Sequence, residues 1–316
     1  MHSQTVYSEV EPLVSVVICN FNSEEYLERC LLSLQNGSYK RIEVVLVNDC
    51  SEGDDSIIVE KYRKKLNIVY VKNSVNIGLL QSRLEGVRNS SGEYITFLDA
   101  DDELSVDFVR NNVKEVLLNK ADLLRCHLSI KTQDSTCKFI RNHITQKKLN
   151  LGDRGLEFLL KQEGRDWTLH TVCGGIYKRS LFDKVLPELQ SLQYRVSMCE
   201  DVLLSVLLYF YSQNTCSSSY VNDVYYYWKH GSNMTGDVRA ARKSIESIKQ
   251  VKEFLINFFL NKKLEKFVVY IENWMCAYEF MWLEMMREAN RESLKQTEKG
   301  LSLIHISEPT RRRGIS

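Results

Sequence analysis

The stretch Tyr94-Ile-Thr-Phe-Leu-Asp-Ala-Asp-Asp102 constrains this chain more than any other. An apolar run with the composition of a buried strand stops abruptly at three carboxylates within four positions. A sheet can bury the apolar part, but like charges side by side cannot be buried without partners. Asp99, Ala100 and Asp101 therefore read as a site for a cation, or for a phosphate–metal pair, at the carboxyl edge of a sheet. Open α/β sheets place their ligands at that edge. A solvated turn is the ordinary reading of a lone Asp-x-Asp; the apolar strand before it and the motifs around it displace that reading.

The surrounding chain supplies such a sheet. Strand and helix patterns alternate over residues 13–128. Residues 14–19 are β-branched and apolar. Residues 24–34 follow with Tyr26, Leu27, Leu31 and Leu34 at helical spacing, and Asn22 with Glu25 three positions on predicts a capping box. Strands are expected over 42–47, 68–71, 94–98 and 122–128, and helices over 56–65, 79–88 and 106–118. This order implies a mostly parallel, doubly wound sheet with right-handed crossovers, its strands apolar enough for burial on both faces. Residues 129–236 are less regular and glycine-containing, and are expected to form a mixed sheet extension, loops and short helices over the mouth of the first half.

Residues 238–300 turn helical. Ile245, Ile248, Val251, Leu255 and Phe258 fall on one face, as do Ile271, Trp274, Met275, Tyr278, Trp282 and Met285. A helical hairpin packed on the main domain is the simpler expectation. The alternative is a partner or membrane-surface helix, since Lys262, Lys263 and Lys266 lie beside Phe258, Phe259 and Phe267. Residues 301–316 show no periodicity and read as an added tail outside the fold.

Composition excludes several classes. The net charge of +1 gives no bulk basicity for nucleic acid, and three arginines in the last sixteen residues account for the slight positive balance. The nine cysteines are scattered, odd in number and free of C-x-x-C pairs, which fits reduced thiols in a cytoplasmic protein rather than a disulfide framework or zinc site. No secretory signal is read in the short polar stretch Met1 to Pro12. Apolar runs stop near ten residues, against the roughly 20 that a spanning helix needs.

A second acidic turn, Val47-Asn48-Asp49-Cys50-Ser51, also follows a strand of the same expected sheet, so both turns should open onto one edge. Asp49 can accept hydrogen bonds from a base or ribose there, or simply cap the next helix. Between the turns lies Asn76-Ile-Gly-Leu-Leu-Gln-Ser-Arg83. Gly78 permits close backbone approach at a helix start. Arg83 can offer a forked donor to phosphate, or pair with Glu85 or Asp99.

Taken in order, Val-Ser-Val-Val-Ile-Cys-Asn-Phe-Asn (14–22), Val-Asn-Asp-Cys-Ser (47–51), Asn-x-Gly-x-x-x-x-Arg (76–83) and Gly-Glu-Tyr-Ile-Thr-Phe-Leu-Asp-Ala-Asp-Asp (92–102) resemble the family 2 glycosyltransferases. The resemblance covers residues 12–130 well and 165–236 loosely. It implies the GT-A fold, with a nucleotide-sugar (donor) half over 1–128, an acceptor-side half of the same domain over 129–236, and a C-terminal helical extension over 237–300. It implies roles by position: Asn20 and Phe21 at the nucleotide base, Asp49 at the uracil or ribose, Gly78 and Arg83 near the phosphates, and Asp99 with Ala100 at the ribose. Asp101, with Asp99, would ligate Mn²⁺ or Mg²⁺, and Asp102 extends the acidic cluster or supports it from behind.

Farther on, Cys199-Glu200-Asp201 resembles the family's acceptor-side acidic pair, implying Asp201 as general base with Glu200 beside it; a helix N-terminus capped by acidic residues is the compatible plainer reading. In Tyr225-Tyr-Tyr-Trp-Lys-His230, His230 would be a metal or phosphate contact, with Lys229 a comparable candidate; a solvated histidine on a polar turn is the plainer reading. Trp167, ahead of the Gly174-Gly175 pair, would stack on a sugar face or pack in the core. There are departures: Cys50 stands where relatives often have Gly, and Phe21 where they often have Tyr.

The resemblance thus implies an inverting, metal-dependent enzyme moving a sugar from a nucleotide-diphosphate donor, UDP-linked by family habit, to a hydroxyl of a glycan or lipid-linked acceptor. Peripheral contact with the inner membrane face through the C-terminal helices, and homodimerisation, are compatible with it. The rivals are a sugar nucleotidyltransferase, which would want a Gly-rich basic loop after the first strand where Cys19-Asn-Phe-Asn-Ser-Glu-Glu stands, and a nucleotide-sugar-binding scaffold without turnover.

Overall fold

A computed structural model describes residues 11–132, 138–140, 150–190, 192, 194–229, 238–284 and 286–287. The expected alternation is present. Strands β1 (Val14–Asn20), β2 (Ile42–Asn48), β3 (Ile68–Lys72) and β4 (Tyr94–Asp99) pair in parallel in the order β3-β2-β1-β4. Helices α1 (Glu24–Asn36), α2 (Ser56–Arg63) and α3 (Leu79–Arg88) make the crossovers. Short β5 (Glu103–Leu104) and helix α4 (Phe108–Asn119) follow β4. Every residue of β2 is buried, as a strand covered on both faces requires.

Close packing sets the helix positions. α3 sits directly on the sheet at Gly86, where an added Cβ would lie 2.3 Å from Val17 Cγ1. Glu43, buried under the start of the sheet, accepts from Ser15 Oγ at 2.5 Å and from Ser91 Oγ, Ser91 N–H and Gly92 N–H, tying the turn before β4 to β1 and β2.

The expected single strand over 122–128 is two. β6 (Leu123–Arg125) stays in the main sheet, and β7 (His127–Thr132) leaves it after Cys126 for a second one. Cys126 N–H still bonds to Gly174 O, one step beyond the β6–β10 pairs, and from His127 the chain pairs with β12 instead. With β8 (Lys138–Ile140), β9 (Asn150–Gly152), β10 (Gly175–Lys178), β11 (Thr215–Ser217) and β12 (Val224–Lys229), the main sheet has eight strands, β3-β2-β1-β4-β10-β6-β11-β9, and the second has four, β5-β12-β7-β8. Strand β10 runs antiparallel to both β4 and β6.

The apolar run after Asp201 is a helix, α7 (Glu200–Tyr211), buried on nearly all sides; α5 (Gly155–Lys161) and α6 (Arg179–Leu189) pack on it. The C-terminal helices form the hairpin. Helix α8 (Val238–Asn261) is followed by a helix over 268–284, and Ile248, Val251, Leu255, Ile271, Trp274 and Met275 are all fully buried. Met285 and residues 301–316 lie outside the described residues. Among the described residues no helix is long and apolar enough to cross a membrane, and all eight cysteines there are free thiols.

The capping box at Asn22 does not form. Helix α1 starts after Ser23, and Asn22 takes a left-handed backbone (φ 54°) with its Oδ1 accepting from Glu52 N–H at 2.9 Å. A tertiary contact between the loops after β1 and β2 wins over the local cap.

Candidate active site

Parallel pairing puts the ends of β1, β2 and β4 at one edge: Asn20 lies beside Asn48, and Cys19 beside Asp99. The turn after β2 is organised by a residue that sequence reasoning passed over. Asp55, fully buried, accepts from Asn20 Nδ2 at 3.0 Å, Asn48 Nδ2 at 2.8 Å and Tyr70 Oη at 2.7 Å. Asn20 is itself buried and committed to this network, accepting from Ser23 N–H, whereas Phe21 beside it is 49% exposed at the edge. Cys50, where the family resemblance leads to an expectation of Gly, has φ +64°, the left-handed region that favours glycine.

Asp49 is also turned inward. Its Oδ1 accepts from Ile77 N–H (2.8 Å) and Asn73 Nδ2 (2.9 Å), and its Oδ2 from Gly78 N–H (2.8 Å). The carboxylate therefore shapes the loop into α3, and Gly78 (φ +90°) makes the turn. Arg195 lies across Gly78 so closely that a Cβ would come within 2.7 Å of its Nε.

Arg83, on α3 and only 3% exposed, is the junction of the site. It is salt-bridged to Asp99 (Nη2–Oδ1, 3.1 Å), Asp201 (Nη1–Oδ1, 2.5 Å) and Glu200 (Nη1–Oε1, 3.6 Å). Of the alternatives open in the sequence, pairing with Asp99 is realised; Glu85 pairs with Arg88 instead. One guanidinium thus joins the acidic tip of β4 to an acidic pair more than a hundred residues away. Desolvation opposes the charge on Arg83, but Asp201 and Asp99 outweigh it and drive its pKa up.

Glu200 and Asp201 open α7, where the helix dipole favours anions. Cys199 before them has φ +63°, which turns the chain into the helix. Burial and the charge of Asp201 raise Glu200 to about 7 against the pull of Arg83. Asp201 is raised too, by burial and by Asp99, with Arg83 and the Thr171 hydroxyl opposing. A carboxylate in that condition is suited to taking a proton near neutral pH.

Behind the tip, Asp102 is fully buried. Tyr225 Oη donates to its Oδ2 at 2.5 Å and Trp228 N–H to its Oδ1 at 2.7 Å, while Asp99 N–H donates to Tyr225 Oη. Burial and the charges of Asp99 and Asp101 raise Asp102 to about 9. Its role is to pin β12 to the acidic turn. Ala100 is buried beneath the turn; Asp101 is partly exposed, and its carbonyl accepts from Arg29 at 2.5 Å. His230 and the Lys229 side chain lie outside the described residues.

Among the described residues no group of three His, Cys, Asp or Glu side chains could hold a metal ion. What remains is the pair Asp99 and Asp101. Two hard carboxylates completed by substrate phosphates and water are the arrangement that Mg²⁺ uses at nucleotide sites, so this donor set fits such an ion with a diphosphate present.

Beside Arg83's partners opens a cleft of about 380 Å³. Asp99, Glu200 and Asp201 line one part; Trp167, Tyr227 and Tyr278 line another. Trp167 is 38% exposed, edge-on to Tyr227 with ring centroids 6.3 Å apart, and is not a core residue. His170 and Tyr278 also line the cleft and were not expected as site residues. Tyr278 had been visible only as one member of a helix face.

Comparison with known proteins agrees with this geometry. The profile described as glycosyl transferase family 2 matches residues 15–186, more than half of the chain. The chain belongs to this family. It is 29% identical to glycosyltransferase GlyA of Streptococcus pneumoniae over 179 residues, covering 56% of this chain and 26% of GlyA. It is 28% identical over 258 residues to EpsH of Bacillus subtilis, which carries a glycosyltransferase name, covering 81% of this chain and 72% of EpsH. The match thus spans about a quarter of GlyA's length. Among solved structures, S. aureus TarS 1-349 aligns with a TM-score of 0.62 at 18% identity, covering 84% of this chain and 72% of that one. TarS 1-349 in complex with UDP-GlcNAc aligns at 0.60 and 22%, covering 77% and 66%. At these identities the likeness establishes the fold, a mostly parallel GT-A sheet flanked by helices.

Proposed function

We propose that this chain transfers a sugar, with inversion at the anomeric carbon, from a UDP-linked donor to a hydroxyl of a glycan or lipid-linked acceptor. The observation that carries the reading is the convergence of Asp99, Glu200 and Asp201 on Arg83 within one cleft. In this reading Asp99 is the nucleotide-edge carboxylate and Asp201 the proton acceptor, and both line the one cleft. Asp201 takes the proton from the acceptor hydroxyl as its oxygen attacks the anomeric carbon. One in-line displacement inverts that carbon and releases the nucleoside diphosphate. Arg83 fixes Asp201 and Asp99 relative to each other, so that positioning supplies much of the rate.

Asp101 and Asp99 would hold Mn²⁺ or Mg²⁺, whose chemistry is to neutralise charge on the departing diphosphate. The UDP-GlcNAc named with TarS, a protein of the same fold, supports a UDP-linked donor. The division into a donor half over 1–128, an acceptor half over 129–236 and a helical extension over 237–300 is part of this reading. Exposed Leu260 and Val269, with Lys262, Lys263 and Lys266 between them, support a peripheral membrane contact.

UDP release from a panel of UDP-sugars, with and without Mn²⁺, is the test. Asp101→Asn and Asp201→Asn should each lower kcat by about 10²-fold or more while the proteins remain folded. Folded variants with wild-type turnover would refute the assignments.

A further inference from the structure

The aromatic side of the cleft is built from elements that carry none of the donor-side carboxylates. Trp167 opens the turn before β10, Tyr227 lies on β12 of the second sheet, and Tyr278 comes from the C-terminal helix. Tyr278 is fixed rather than fringe. Its Oη lies 2.8 Å from His170 Nε2, and Trp274, one turn earlier on the same helix, is fully buried with its ring 5.0 Å from the His170 ring. Trp274 packs so tightly on Gly164 that a Cβ there would fall 2.1 Å from its Nε1. The hairpin is therefore docked by a buried tryptophan that sets the next turn, with Tyr278, into the cleft wall.

The charges in the cleft are one-sided. Asp99, Glu200 and Asp201 line it, and among the described lining residues there is no lysine or arginine. The adjacent guanidinium, Arg83, already serves three of those carboxylates. Burial, helped by Arg125, holds His170 at about 4, so its imidazole is neutral at physiological pH. Among the described residues an incoming anion would meet carboxylates and no lysine or arginine lining the cleft, whereas the faces and edges of Trp167, Tyr227 and Tyr278 offer apolar area suited to a sugar ring.

Resting on the glycosyl-transfer reading above, we infer that the acceptor's reacting unit is an uncharged sugar ring held by Trp167, Tyr227 and Tyr278, so that the C-terminal helix forms part of the acceptor site. A uronate or a phosphodiester at the same position is disfavoured.

The test uses the full chain with its best UDP-sugar. Acceptors are methyl glycosides of neutral hexoses and the matching hexuronic acids and hexose phosphodiesters. Donor hydrolysis without acceptor is followed in parallel. Neutral glycosides should be used in preference to their anionic counterparts. Trp167→Ala and Tyr278→Ala should each raise KM for the neutral acceptor by roughly 2–10-fold, the range of one aromatic contact, and leave KM for the donor in place. Preference for an anionic acceptor overturns the inference. So does a rise confined to the donor KM, which would assign the wall to the donor's sugar. If donor hydrolysis is seen and is lost in Asp101→Asn, the transferase reading stands whichever way the acceptor results fall; if no UDP-sugar is turned over at all, that reading itself fails.

Discussion

Replacing Glu200 with Gln should make the fold more stable and the enzyme worse. Glu200 is 16% exposed, lies against Asp201, and has the Arg83 guanidinium 3.6 Å away, a looser contact than the one Arg83 makes with Asp201. Its pKa rises from 4.5 to about 7 in the folded chain. Because the folded pKa is raised, the native state binds the extra proton between those values. The stability that this proton confers is complete below about 4.5 and is lost as pH rises through 7. Above pH 7 the folded protein therefore carries an ionised carboxylate that costs roughly 3 kcal/mol relative to the unfolded chain. Gln keeps the shape and removes the charge. Urea denaturation of Glu200→Gln and wild type, in chelator so that no cation competes, should show the variant more stable by about 3 kcal/mol at pH 8. The two should coincide near pH 4. UDP release by the variant should fall. A variant equal to or less stable than wild type at pH 8 would show that Glu200 is not held ionised at a cost, and the proton-accepting role of this acidic pair would lose its electrostatic basis.

Glu43 should behave with the opposite sign. Burial raises its pKa, but the bonds from Ser15, Ser91 and Gly92 outweigh that and leave it below 4.5. Its contribution is therefore present above about pH 4.5 and lost as pH falls through the lower folded value. Glu43→Gln should cost about 1–3 kcal/mol at pH 7 by urea denaturation, with the difference closing in acid. At Gly86, alanine gains about 0.5–1 kcal/mol of helix preference but places a methyl 2.3 Å from Val17 Cγ1. Overpacking of about 1–3 kcal/mol should win, so Gly86→Ala should lower Tm by several degrees; an unchanged or higher Tm would show that α3 can lift off β1 freely.

Much of the acidic rim was legible because it is local. A β-branched strand must be buried, and parallel strands must end at the same edge, so Asp49, Asp99 and Asp101 could be placed at one rim from period and order alone. Helices α1 and α3 and the buried faces of the C-terminal hairpin followed from 3.6-residue spacing. Where a distant partner competes, local reading fails. Asn22 gave up its cap to Glu52, and the strand over 122–128 broke at Cys126. Asp55 carries no motif, yet three donors from three strands converge on it.

The sequence by itself determined an α/β sheet with an acidic rim, because periodicity and charge are properties of neighbouring residues. Only the tertiary structure decided what that rim faces. Arg83 gathers carboxylates from positions 99, 200 and 201, and Trp274 carries Tyr278 across to His170. Which distant groups share a buried guanidinium, or one wall of a cleft, depends on how helices pack on the sheet, and no spacing along the chain encodes that.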